Sequence, residues 1–201
     1  MNIWDEIYAK GEWGEGSGSG STVETTKKYV EVVNEYLDKY QYTNCKVYDF
    51  GCGLWSGWQE GLHLNGWRYY GVDESSEVIK KNSEKYTDTF THRFNTGKAE
   101  FYLKAIGEGI PHLSSSIDIM LIKDVFQHLS FERIIPILEL IKKPKALIIT
   151  NDSVLDGVNS DCEDGGYRPI DLRLPPFNLK PTRVVDYPSS PHQKTILIFE
   201  K

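Results

Sequence analysis

The stretch that most constrains this chain runs from Lys46 to Trp58, KVYDFGCGLWSGW. The apolar pair Val47-Tyr48 ends at Asp49, and Gly51, Gly53 and Gly57 follow in quick succession. Glycine takes positive φ freely and has no Cβ to block a bound molecule. The spacing therefore predicts a buried strand, a tight turn that brings backbone close to a ligand, and then a helix.

Around this turn the chain alternates. Ser21 or Thr22 caps an expected helix over residues 23–40, whose apolar stripe is Tyr29, Val32, Val33, Tyr36 and Leu37. Thr43-Asn44 reads as a turn. Seven strands are expected, at 46–50, 69–72, 100–103, 117–122, 146–150, 183–187 and 195–199. Helices are expected at 57–64, from Ser75 or Ser76 to about Tyr86, and at 130–141. Residues 87–99 read as loop, and Ser189-Ser190-Pro191 as the tip of a hairpin. The nearly continuous apolar run at 117–122 fits a strand covered on both faces. The expected fold class is α/β: a Rossmann-like, doubly wound, seven-stranded sheet, mostly parallel, closed by an antiparallel C-terminal hairpin. In such a sheet ligands bind outside the carboxyl ends of the strands, here beside the first.

The 201 residues suit one domain: an N-terminal lid and helix over 1–44, then a cofactor-binding core over 45–201 with a substrate loop at 151–181. That loop is polar, rich in Gly and Pro, and long enough to imply a function. Hydrophobic content of 39% supports a packed core. The net charge of −6 argues against duplex nucleic acid or an anionic membrane as the main partner, since phosphate binding relies on clustered Lys and Arg. Cys45, Cys52 and Cys162 match no zinc spacing, so no metal is expected and reduced thiols in the cytoplasm are. MNIWDEIYAK lacks the apolar core of a signal peptide, and no stretch of 18 apolar residues predicts a membrane span. The oligomeric state is left open.

Ile3, Trp4, Ile7 and Tyr8 are spaced like one face of a short helix. The GEWGEGSGSGS segment that follows is either a flexible linker or a lid. Trp13 favours the lid, because a linker has little use for an indole. Gly/Ser backbone near a helix start also offers N–H groups to an anion.

Asp73, at the end of the second strand, is placed to accept hydrogen bonds from ribose hydroxyls, or to cap the next helix. The glycines read G-x-G-x-x-x-G, not the dinucleotide G-x-G-x-x-G. Asp49, two residues before Gly51, would repel a phosphate-rich ligand and favour a positively charged one. Spacing and charge lean from NAD toward S-adenosyl-L-methionine.

At this point the sequence resembles the class I S-adenosylmethionine-dependent methyltransferases. Tyr48-Asp49-Phe50-Gly51-Cys52-Gly53 matches their first motif, Tyr70-Gly71-Val72-Asp73 the second, and the run from Asp118 to Leu129 the fourth-strand motif. A narrower likeness joins Trp13–Ser21, Lys123–Leu129 and Gly166–Leu172 with Pro175-Pro176-Phe177 to small microbial and phage methyltransferases whose substrates are mostly unassigned. The resemblance implies that Asp49, Gly51, Cys52 and Gly53 line the amino-acid end of the cofactor and that Asp73 holds the ribose. It implies that Lys123 and Asp124 face the methionine moiety. Trp13 and Ser17 would cover the cofactor, and Trp55 would pack against it or against the helix. Leu103-Lys104-Ala105 departs from the acid or amide that many members carry near adenine.

His128 is the candidate general base, four residues after Asp124. A structural histidine at a helix start is the other reading. Asn151 and Asp152 end the fifth strand, where they would orient or deprotonate a hydroxyl or serve an ordinary turn. Tyr167, Arg168 and Arg173 are expected to bind substrate. An arginine there would hold a phosphate or carboxylate as a bidentate pair, or else pair with Asp164 and Asp171. The expected function is methyl transfer to a small molecule, such as a sugar hydroxyl. The alternatives are a non-catalytic S-adenosylmethionine-binding module, or a methyltransferase acting on protein or nucleic acid.

Overall fold

The computed structural model describes residues 2–14, 16–40, 45–55, 57–86, 98–105, 117–140, 144–189 and 192–201. The expected turn at Thr43-Asn44, the loop at 87–97 and the hairpin tip Ser190-Pro191 lie outside them.

Strands β1 (Cys45–Phe50), β2 (Trp67–Asp73), β3 (Lys98–Leu103), β4 (Ile119–Lys123), β5 (Ala146–Asp152), β6 (Arg183–Ser189) and β7 (His192–Glu200) form one sheet in the order β3-β2-β1-β4-β5-β7-β6. β1 to β5 pair in parallel, and β7 runs antiparallel to both β5 and β6. The order reverses direction between β1 and β4, and a cleft opens there at the carboxyl ends.

Side chains alternate across β1, and each face builds its own core. Val47 joins Tyr69, Leu121 and Ile148 in a cluster covered by Tyr29, Val33 and Leu37 of α2 (Val23–Lys39). Tyr48 and Phe50 join Tyr70, Ile122 and Ile149 on the other face. That face is covered by Trp4 and Ile7 of α1 (Ile3–Lys10) and by Ile134 and Ile137 of α4 (Phe131–Leu140). Burying each such aliphatic side chain contributes about 1.5–3 kcal/mol.

The helix expected at 57–64 is not formed. Trp58–Gly61 make a single 3-10 turn instead. Trp58, Leu62 and Leu64 are all buried in the core under α2, and Gly57 stands at φ 96°. A Cβ on Gly61 would come within 3.1 Å of Val30 Cγ1, so α2 lies directly on this stretch.

The N-terminal helix is fastened by its own polar residues. Asn2 caps it through Asp5 N–H, 2.8 Å. The Asp5 carboxylate in turn accepts from Ser75 Oγ at 2.9 Å and Ser76 N–H at 2.7 Å, at the start of α3 (Ser76–Tyr86). Residues 153–182 form neither helix nor strand, yet they are tied down. Gly165 N–H donates to His128 O, Arg168 N–H to Gln127 O and Ile170 N–H to Asp152 O, and Ile170 and Leu172 are buried. Among the described residues no helix is long and apolar enough to cross a membrane.

Candidate active site

The carboxyl ends of β1, β2 and β4 open into a cavity of about 340 Å³. The glycine turn forms its floor. Gly51 and Cys52 N–H both donate to Val72 O, at 2.8 and 3.1 Å. Gly51 and Gly53 stand at φ 67° and 60°. A Cβ on Gly51 would meet Val125 Cγ2 at 2.3 Å, and one on Gly53 would meet Ser17 Oγ at 2.3 Å, so both positions require glycine.

Asp73 lines the cavity at the end of β2. Its carboxylate accepts from Gly53 N–H at 3.0 Å and Ser75 N–H at 2.9 Å, which braces the glycine turn and opens the next helix together. Burial pushes this carboxyl up to about 6, against those two hydrogen bonds.

The Gly/Ser segment lies over the turn. Ser17 Oγ accepts from Leu54 N–H at 2.7 Å and is bonded to Tyr8 Oη at 2.9 Å. Ser17, Trp13 and residues 18–21 all line the cavity.

A compact charge cluster closes the far side. Lys123 Nζ donates to Asp124 at 2.7 Å and to Ser21 Oγ at 3.1 Å. The antiparallel register sets Lys194 beside Asp152, and its Nζ pairs with Asp152 and with Asp124, each at 2.7 Å. Asp124 takes φ 57°, a strained conformation for a residue with a side chain. Burial alone would raise the Asp124 carboxyl, but Lys123 and Lys194 override it and hold it below its ordinary range. Burial likewise works against the Lys194 ammonium, and Asp124 and Asp152 more than offset it.

His128 lines the same cavity. Its Nδ1 lies 2.7 Å from Gly166 O. A carbonyl only accepts, so Nδ1 carries the hydrogen and Nε2 of the neutral ring carries a lone pair. Burial lowers the His128 pKa from its ordinary value, despite the Gly166 bond and the nearby Asp124 and Asp152. Tyr167 Oη donates to Asp152 at 2.8 Å.

The cavity thus brings together Gly51, Cys52, Gly53, Asp73, Lys123, Asp124, Trp13, Ser17, His128, Asp152 and Tyr167 of the expected site residues. Five others lie elsewhere. Asp49 points to the α2 face of β1, where Tyr69 Oη donates to it at 2.5 Å and Oδ1 is buried with no hydrogen-bond partner among the described residues. Trp55 packs edge-on against Tyr69, centroids 5.2 Å apart, in the core and not in the cavity. Asn151 is buried one residue short of the cavity, because alternation along β5 turns it away from Asp152. Arg168 is buried, and its guanidinium donates to the carbonyls of Ser160, Phe126 and Leu129. Arg173 forms a bidentate pair with its near neighbour Asp171, at 2.9 and 2.6 Å. Neither arginine lines the cavity.

Sequence reasoning missed Lys194, Tyr8, Gln127 and His192, all of which line the cavity. Gln127 Oε1 accepts from Asp152 N–H at 2.9 Å and so fixes the end of β5. Only the β5–β7 register, unreadable from one sequence, brings Lys194 to Asp152. Among the described residues no group of three His, Cys, Asp or Glu is placed to hold a metal ion.

No family model matches the chain, and no curated protein matches it. Solved structures do. Magnesium protoporphyrin IX methyltransferase from Synechocystis PCC 6803, crystallised with bound S-adenosylmethionine, superposes with a TM-score of 0.61 at 18% identity, over 98% of this chain and 88% of that one. TrmK of M. capricolum, bound to S-adenosylhomocysteine, gives 0.52 at 16% identity over 85% and 67%. The plantazolicin methyltransferase BpumL, bound to S-adenosylhomocysteine and a desmethyl plantazolicin analogue, gives 0.51 at 20% identity over 74% and 52%. With its strand order, its antiparallel end and these superpositions, the chain has the fold of the class I S-adenosylmethionine-dependent methyltransferases.

Proposed function

We propose that this protein binds S-adenosyl-L-methionine and transfers its methyl group to a hydroxyl of a small molecule. The observation that carries the reading is Asp73, a buried carboxylate lining the cavity beside the glycine turn. A carboxylate with its pKa raised to about 6 by burial gains from further hydrogen-bond donors, and ribose hydroxyls supply them. The rest of the cavity fits the same ligand. Gly51, Cys52 and Gly53 would allow close approach of the methionine end, Lys123 and Asp124 would flank it, and Trp13 and Ser17 would cover it. Asp73, Glu74, Asp124 and Asp152 give the lining the carboxylates that suit a cationic sulfonium ligand.

Bound there, S-adenosylmethionine would supply an electrophilic methyl to the acceptor oxygen, the electron pair of the S–C bond staying on sulfur. His128 Nε2 takes the hydroxyl proton, and the Gly166 carbonyl keeps the ring in the tautomer that can do so. Asp152 and Tyr167 orient the acceptor. Trp13 and the Gly/Ser segment exclude water, so that alignment supplies much of the acceleration. The net charge of −6 and a cavity walled by the chain's own end segments favour a small acceptor over nucleic acid.

A thermal-shift comparison at pH 7.5 tests the reading. S-adenosylhomocysteine at about 100 times its Kd should add about 2.7 kcal/mol of stability and raise Tm, and NAD should not. A rise with NAD alone would support an oxidoreductase instead.

A further inference from the structure

One wall of the cavity is a row of rings. Trp4 and Trp13 have centroids 6.2 Å apart, Trp13 and His128 5.0 Å, His128 and Tyr167 5.8 Å, and Tyr167 and His192 6.0 Å. All five line the cavity. The row begins at the buried Trp4 and ends at Tyr167 and His192, which are exposed. Its members come from α1, the Gly/Ser segment, the turn after β4, the long loop and β7, so the row exists only in the folded chain. All five are outside the charge cluster and the glycine turn, and those two features do not account for the row.

The cations of the lining are all taken up by carboxylates. The lysines of the lining are Lys123 and Lys194, and both are committed to carboxylates, Asp124 and Asp152. Glu74 is paired with Arg133. Among the described lining residues no Lys or Arg is left unpaired, so an anionic acceptor would lose its hydration without gaining a counter-charge. The polar groups are similarly engaged: Tyr167 with Asp152, Ser21 with Lys123 and Ser17 with Leu54. A sugar, with a hydroxyl on most carbons, would find few partners.

We propose that the acceptor is a neutral, planar aromatic molecule bearing a phenol-type hydroxyl, laid against the ring row from Trp13 to His192. The proposal rests on the methyltransferase reading and narrows its acceptor. Aromatic faces attract planar rings in offset or tilted arrangements at these spacings. His128 supports the same class. A neutral imidazole lies closer in pKa to a phenol, near 10, than to an aliphatic alcohol.

Equilibrium dialysis at pH 7.5 tests this with three probes, 2-naphthol, 2-naphthoate and methyl β-glucoside, on the protein alone and on the protein loaded with S-adenosylhomocysteine. The expected result is 2-naphthol bound about tenfold or more tighter than either other probe. Tyr167→Leu, which removes the ring, should weaken that affinity roughly three- to tenfold. Equal or tighter binding of naphthoate or the glucoside, or an unchanged affinity in Tyr167→Leu, would overturn the proposal. Naphthol selectivity in a protein that does not bind S-adenosylhomocysteine would uphold the ring row and defeat the methyltransferase reading. Binding of S-adenosylhomocysteine without that selectivity would do the reverse.

Discussion

The Trp13 indole lies against the His128 imidazole, with ring centroids 5.0 Å apart and planes tilted by 42°. The contact joins the Gly/Ser segment to the turn after β4, and it covers the ring that carries the candidate base. Burial is the largest influence on His128 and lowers its pKa. Removing the indole should therefore raise it. In an NMR titration, the His128 ring should titrate below 6.5 in the wild-type protein. In Trp13→Ala it should move upward. An unchanged midpoint would mean that the indole does not shield His128.

His128→Ala should lower kcat by about 10²-fold or more, because a positioned base contributes 10²- to 10⁴-fold. The affinity for S-adenosylhomocysteine should change by less than about threefold, since glycine turn and Asp73 remain. The wild-type rate should fall on the acid side as His128 gains its proton. With a lowered pKa, that limb lies below 6.5. Turnover that survives the substitution would remove His128 as base.

Asp49 links the site to stability. Burial raises its carboxyl to about 7, against the Tyr69 hydrogen bond and the Lys123 charge, from an ordinary 3.8. A carboxyl with a raised folded pKa holds its proton more tightly in the folded state. Its favourable contribution is complete below about pH 4 and is lost as pH rises through about 7. Asp49→Asn does not titrate. Urea unfolding of the two proteins should show the variant gaining about 2 kcal/mol on wild type between pH 5 and pH 8. Parallel pH dependences would contradict the placement of this carboxylate.

The cavity floor was legible because its signals are local. Gly51, Gly53 and Asp73 sit in a strand–turn pattern whose backbone demands appear within a few residues. The sheet was legible for the same reason, since each buried strand is a short apolar run. The arginines were not. Arg168 and a phosphate-binding arginine look alike in sequence, and only the fold shows that three backbone carbonyls take up its donors. Asp49 lies outside the cavity because strand alternation, which its spacing from the glycines does not show, decides which face its carboxylate takes. Lys194 was invisible, because its pairing with Asp124 and Asp152 depends on the β5–β7 register and on a residue held at positive φ. The absent helix at 57–64 reflects tertiary packing under α2, which overrides local pattern.

The two arginines separate experimentally. Arg168→Ala would leave the carbonyls of Phe126, Leu129 and Ser160 without these donors, at a cost of about 2–4 kcal/mol and roughly 5–15 °C in Tm. Arg173→Ala removes a half-buried pair with Asp171 and should cost about 1 kcal/mol or less. Calorimetric melting of both variants measures the difference. A melting loss as large in Arg173→Ala as in Arg168→Ala would contradict the assignment.

Asp73 joins the fold to the proposed chemistry, so it is where the account is most exposed. Isothermal titration of S-adenosylhomocysteine into the wild-type protein at pH 7.5 should give one site per chain. Asp73→Asn should weaken it by about tenfold or more, since a hydrogen bond to a charged group contributes about 1.5–3 kcal/mol. Wild-type affinity should also fall as pH drops through about 6, where Asp73 gains its proton. A wild-type protein that takes up no S-adenosylhomocysteine, at a concentration where it remains folded, would contradict the central claim.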